Sequence, residues 1–412
     1  MSDSIFINRN FALLWIGKII SQIGDKFYAI ALTWWIYQST GSPGIMGFFL
    51  LTTVLPGLLF GFYAGALADR LNRRNILIIT DILRGLLVFI IVILSFLQAL
   101  MVWQVFAAGA ILSFLSAFFD PAAQAIIPQL VAREALPKAN SMNQMVSGIC
   151  SILGPVLGAA AVSLFGVSVV FLINGISYLL SAFLEKMVHY EVSADIKAAG
   201  RSIFKDMMEG FAFLKNNGEL MRIISIIATA HFFMGSLMVT FPVLADKLNG
   251  TGVKNLGYLE TMLGIGLLAG AIYISKRKKI IMKEFHLICL ITFMGICFLA
   301  ISILQSAAFL SIVPYLLIFL LIGSIISIAS VFWQSILQLQ TPEHMTGRVF
   351  SAASLAGNVS MPIAYGIFGI LLTYSRIWLL MLTCGGSLIL EALALLLLAR
   401  ADSFVKNSKK IS

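Results

Sequence analysis

The chain is a succession of long apolar runs broken by short polar ones. Apolar stretches lie near residues 11–38, 44–68, 76–98, 102–126, 138–164, 167–188, 221–246, 253–275, 284–305, 309–338, 346–373 and 377–400. Each is about 20 residues or longer, enough for a helix rising ~1.5 Å per residue to cross ~30 Å of hydrocarbon. The pattern predicts an all-α integral membrane protein with twelve transmembrane helices. The first run is too long and too charged for a cleavable signal peptide, and no small-residue cleavage site follows it, so it reads as the first span. An even number of spans puts both termini on one side.

Composition agrees. Hydrophobic residues make up 60% of the 412 and charged residues 11%, against about 25% charged in soluble domains. If the N-terminus is cytoplasmic, the inside segments hold 22 Lys and Arg and the outside loops only Lys247, Lys254 and Arg376. The positive-inside rule therefore predicts cytoplasmic termini. Basic inside loops also account for the net charge of +10 without nucleic acid. Cys150, Cys289, Cys297 and Cys384 all fall in spans, away from any metal-like spacing with histidine, and read as packing residues.

The longest polar interval, 189–220, divides six spans from six. The expected layout is an N-terminal half (1–188), a linker (189–220), a C-terminal half (221–400) and a cytoplasmic tail (401–412). Within the linker, Ile203, Phe204, Met207, Met208, Phe211 and Leu214 fall near one face, which predicts a short amphipathic helix on the membrane surface. The halves echo each other: "AREALPKANS" after span 4 aligns with "PEHMTGRVFS" after span 10 at an offset of 210 residues. Parallel six-helix repeats are one common build of transporters.

"GALADRLNRRN", residues 65–75, links spans 2 and 3. It resembles the signature G-x-L-x-D-R-x-G-R-R of the major facilitator superfamily through Gly65, Leu67, Asp69, Arg70, Arg73 and Arg74. Asn72 stands where the family usually has Gly; asparagine tolerates left-handed backbone, so a tight turn is expected to survive there. The resemblance implies a charge network, Asp69 with the arginines, that latches two halves. "SILGPVLGAA" in span 5 resembles the antiporter motif through Gly154, Pro155 and Gly158, with Ala159 in place of the last Gly. Small residues there allow close helix approach and the proline bends the helix. That likeness implies exchange-driven export. Over nearly the whole chain the pattern is similar to the drug-efflux branch that contains macrolide efflux proteins, siderophore exporters and lysophospholipid transporters. The arginine that related drug antiporters often carry in span 4 is absent: no Lys or Arg lies between Arg84 and Arg133.

Charges inside spans are costly and should face the protein interior. Lys18, Gln22 and Asp25 are spaced i, i+4, i+7 and share a face with Ser21 and Tyr28. Lys18 and Asp25 stand ~10 Å apart along the axis, too far for a direct pair. Lys26 lies about 100° round from Asp25. This stripe is expected to line a central cavity with Asp25 as the candidate proton-coupling group; the alternative is an interhelical ion pair that only fixes packing. His231 in span 7 and Asp120, followed by Pro121 in span 4, are further coupling candidates, each with a packing alternative. Asp81 and Arg84, i, i+3 beside the loop motif, are expected to pair, in structure or gating. Glu260 is a candidate outer gate, and Glu391 in span 12 has no assigned role.

The expected function is secondary active transport: proton-coupled antiport exporting a bulky amphipathic compound by alternating access, from a bacterial-type cell membrane, as a monomer surrounded by lipid. The same fold could instead move a lysophospholipid or a siderophore-like metabolite. A non-transporting sensor is the remote alternative. An enzyme or ATPase is disfavoured, since nucleotide, nucleophile-elbow and metal signatures are missing. No cofactor is expected.

Overall fold

The computed structural model describes residues 7–68, 71–189, 203–276, 284–342 and 345–411. Among them all regular structure is helical: α1 (Arg9–Thr40), α2 (Pro43–Ala68), α3 (Arg73–Phe96), α4 (Val102–Leu130), α5 (Leu136–Phe165), α6 (Val167–Lys186), α7 (Ile203–Lys215), α8 (Gly218–Lys247), α9 (Gly252–Ser275), α10 (Glu284–Ser306), α11 (Val313–Gln340), α12 (Thr346–Tyr374) and α13 (Ile377–Ile411), with a 3-10 turn at Arg133–Ala135 leading into α5. Among the described residues, eleven helices are long and apolar enough to cross a membrane. α1, with 32 residues and Lys18, Gln22, Asp25 and Lys26 along its length, is less apolar than these. The protein is a multi-pass membrane protein.

Helix ends follow local chemistry. Asn8 caps α1 by accepting a hydrogen bond from the Phe11 amide at 2.8 Å, and Gly41, at φ +58°, closes it through its amide to the Tyr37 carbonyl. Asn72 corrects an expectation. It does not replace glycine in a left-handed turn; its backbone is extended, and its side chain caps α3 by accepting from the Asn75 amide at 3.3 Å. Asparagine satisfies an orphan helix donor that glycine could not. At the C-terminus α13 continues to Ile411.

The contacts divide the chain into two compact units: Met1–Gly200 with Gly250–Thr261, and Arg201–Asn249 with Met262–Ser412. In the first unit α1 packs along α5 and α6, α3 along α6 and α4, and α2 along α4. The start of α9 belongs here because Gly257 lets it close on α5: a Cβ at Gly257 would meet the Pro155 carbonyl oxygen at 2.8 Å. In the second unit α8 packs along α12, and α10 along α13 and α11. α7 also packs on α12, with Leu214 buried in the core and Met208 exposed. It is thus tied into the second unit through its C-terminal end.

The two units repeat each other in detail. α3 ends with Gln98 in the left-handed region (φ 56°), and α10 ends with Ala308 there (φ 52°). The amides of Gln98 and Ala99 bond to the carbonyls of Ser95 and Leu94, and those of Ala308 and Phe309 to Gln305 and Leu304. Both are Schellman closures, one displaced from the other by 210 residues (308 − 98). The same displacement relates the helix crossings. Gly85 faces Gly175 where α3 meets α6, and Gly295 faces Gly385 where α10 meets α13.

Candidate functional site

The first unit holds a cluster of charges at this crossing. Arg84 of α3 is its centre. Its Nη1 lies 3.2 Å from Asp81 Oδ1, and both side chains are buried. The guanidinium carbon sits 4.5 Å from the centroid of Phe119 and 5.6 Å from that of Tyr178. Two aromatic faces therefore replace part of the water that an arginine would otherwise need.

α6 supplies the next layer. The Tyr178 hydroxyl donates a hydrogen bond to Asp25 Oδ1 on α1. Glycine makes this approach possible, since a Cβ on Gly24 would fall 2.2 Å from Ser177 Oγ. One turn further, Ser181 Oγ donates to Glu185 Oε1 at 3.5 Å, and Glu185 is buried. Asp120 of α4 lies within electrostatic range of both Arg84 and Lys18. Four carboxyl groups thus gather around one guanidinium, with Lys18 at the edge.

Access is graded across the cluster. Asp120 is exposed; Lys18, Gln22 and Asp25 are half-buried; Asp81, Arg84 and Glu185 are enclosed. Ser21 and Tyr28 of the same α1 stripe turn inward instead. The enclosed end is incompletely paired. Among the described residues, Asp81 Oδ2, Glu185 Oε2 and Arg84 Nε are buried without a hydrogen-bond partner. Such atoms cost stability, so the cluster is poor packing by itself. Its acidic excess gives it room to take up protons.

The loop motif connects to this cluster. Arg74 donates from Nε to the Glu185 carbonyl at 3.2 Å and from Nη2 to the Lys186 carbonyl, gripping the C-terminal end of α6. Arg73 Nη1 donates to the Ala125 carbonyl of α4 at 2.8 Å. Gly65 lies in α2; Asp69 and Arg70 lie outside the described residues. Gly154 and Gly158 of α5 carry α1: a Cβ on Gly154 would strike the Lys26 stem at 2.5 Å, and one on Gly158 would meet Phe27 Cα at 3.0 Å. Pro155 is buried beside them.

Other expected members stand apart. Lys26 points along Gly154 and is within electrostatic range of Glu260 on α9. His231 lies in the second unit, with Nδ1 2.8 Å from the Ile227 carbonyl. Glu391 faces Ser225 Oγ at 3.5 Å.

Two members escaped the sequence analysis, Tyr178 and Glu185. A signal existed. Asn174, Tyr178, Ser181 and Glu185 recur at i, i+4, i+7 and i+11, a polar stripe on an otherwise apolar helix.

The sequence pattern of the Major Facilitator Superfamily matches residues 14–365. Macrolide efflux protein A of Streptococcus pyogenes is 26% identical over 360 residues, covering 86% of this chain and 87% of that protein. The staphyloferrin A transporter of Staphylococcus aureus is 25% identical over 378 residues, covering 90% and 91%. Among solved structures, a bacterial homologue of the iron transporter ferroportin in its inward-facing state aligns with a TM-score of 0.70 at 16% identity, covering 94% of this chain and 98% of that one. The span-forming helices and the match over most of the sequence lead to one conclusion: the chain belongs to the Major Facilitator Superfamily of membrane transporters.

Proposed function

We propose that this protein is a proton-coupled antiporter that exports a bulky amphipathic compound across a bacterial cell membrane by alternating access. In this reading α1 is a twelfth span, residues 1–188 and 221–400 are two six-helix halves, and both termini are cytoplasmic. The observation that carries it is the Arg84 cluster, whose charges run from exposed Asp120 through half-buried Asp25 to enclosed Asp81 and Glu185. Buried ion groups are rarely retained for stability alone, because apolar residues of similar volume serve that purpose as well or better.

Asp25 is the coupling residue in this scheme. Ionised, it accepts the Tyr178 hydrogen bond and shares the field of Arg84. A proton on Asp25 cancels that attraction and leaves Arg84 to Asp81 and Asp120. The α1–α6 contact then changes its charge balance without losing its glycine-mediated fit. Reversal on the other side of the membrane completes a proton cycle. Lys18, beside Asp120, offsets charge at the exposed edge. Amphipathic cargo is supported by the similarity to a macrolide efflux protein.

The deciding experiment uses everted vesicles with an imposed pH gradient. Substrate-triggered collapse of the gradient is expected for the wild type and is absent from Asp25→Asn. Undiminished coupling in that variant sinks the assignment. A second reading, transport of a siderophore-like metabolite, is favoured by the similarity to the staphyloferrin A transporter. Gradient collapse by that class, and by no amphipathic compound, selects it.

A further inference from the structure

The second unit contains a half-open cavity of about 230 Å³ between α8, α10, α11 and α12. Its wall includes Met234, Met294 and Met361, the indole of Trp333, and two polar groups, His231 and Ser330. Met294 stands 210 residues after Arg84, and Ser330 210 after Asp120. Ile291 on the wall likewise stands 210 after Asp81, so the cavity borders the repeat positions of Asp81, Arg84 and Asp120, and its wall carries no acidic or basic side chain other than His231.

Natural cores contain few voids larger than a water molecule. An open cavity of this size, walled by apolar side chains with a few polar groups, has the form of a ligand pocket. Methionines adapt their shape to varied occupants, and an indole offers a flat face. His231 adds direction. A carbonyl oxygen can only accept, so the contact with Ile227 commits Nδ1 as a donor. The neutral imidazole then keeps its lone pair at Nε2, which has no protein partner among the described residues.

We propose that this cavity binds the apolar body of the transported compound, and that His231 Nε2 accepts a hydrogen bond from a hydroxyl or amine on it. The proposal rests on the transport reading above and narrows its substrate class to hydrogen-bond-donating amphipaths. Ser330 Oγ is a second polar contact for the same end.

The test uses bromine, a short-range tryptophan quencher. Full-length protein in lipid nanodiscs retains Trp333 as its sole tryptophan, the others being phenylalanine. A second version retains only Trp103, which is 66% exposed on α4 and reports partitioning into lipid. The probes are bromoundecanol and its methyl ether, which lacks the donor. Trp333 quenching is expected to saturate with the alcohol while Trp103 quenching rises linearly. The ether should need about five- to tenfold more probe, as one hydrogen bond implies. His231→Ala should erase the alcohol–ether difference. Ala230→Phe, which fills the cavity from another position, should abolish saturation. Linear quenching of Trp333, matching Trp103, overturns the pocket. Equal saturation by alcohol and ether overturns the role of His231. Transport is measured in parallel on the wild type. Transport without saturable quenching removes the pocket and leaves the transporter; saturable quenching with no transport of any amphipath does the reverse.

Discussion

One place in the fold is built twice, with opposite chemistry. At the α3–α6 crossing of the first unit lie Asp81, Arg84, Tyr178 and Glu185, all buried. The residues 210 positions later, at the α10–α13 crossing, are Ile291, Met294, Leu388 and Leu395, also buried. The backbones match down to the hydrogen bonds that close α3 and α10. Backbone geometry therefore does not require the charges. The second unit fills the site in the cheaper way, with apolar side chains, and the first bears the cost of desolvating four ionisable groups. A protein that needs only a stable bundle has no use for that expense, which is why the difference points to a division of labour.

The largest expected effect comes from forcing the first chemistry onto the second unit. Met294→Arg places an arginine where no acid waits, and a charge in such a site costs roughly 3 kcal/mol or more. Folded protein recovered after detergent extraction should fall to a small fraction of wild type; normal yield and melting would break the comparison. Nearly as large is Arg84→Ala. Removing one partner of a buried ion pair costs about 3–5 kcal/mol, read as a lowered thermal unfolding midpoint. The exchange Arg84→Met with Asp81→Ile installs the second unit's own residues. It should recover much of that midpoint while proton coupling stays lost. If the double variant is as unstable as the single, the two crossings are not equivalent.

Tyr178→Phe is a milder cut. It removes the donor to Asp25 and leaves the ring over Arg84, for a loss of about 1 kcal/mol and weakened gradient collapse in vesicles. The smallest effect tests the symmetry itself. Gln98→Gly and Ala308→Gly each relieve a side chain held at positive φ, worth about 1 kcal/mol. The two midpoint gains should be alike, since the turns are alike; a gain at one alone shows that their surroundings differ.

Much was legible along the chain. The apolar runs located the long helices, with ends within a few residues except where α13 runs on to Ile411, because hydrocarbon thickness imposes length and backbone self-satisfaction imposes helix. The Asp81–Arg84 pair was visible as i, i+3 spacing on one helix. Tyr178 was not, because its bond to Asp25 spans 153 positions and depends on Gly24 letting α1 and α6 close. Asn72 was misjudged because one residue type serves both left-handed turns and helix caps, and only backbone angles distinguish them. Lys26 and Asp25, neighbours in sequence, face different partners.

The sequence by itself determined that this is a helical membrane protein, where its long apolar helices run, and that segments of it echo each other at an offset of 210 residues. Those properties are set by hydrophobic length and local spacing. Only the tertiary structure decided that Asp25, Asp81, Asp120 and Glu185 share one arginine, and that the related position in the second unit is packed with apolar side chains beside a cavity with His231 at its wall. Such constellations draw on helices far apart in the chain, and which side chains meet is set by helix packing at glycine contacts, a three-dimensional fact that no local pattern encodes.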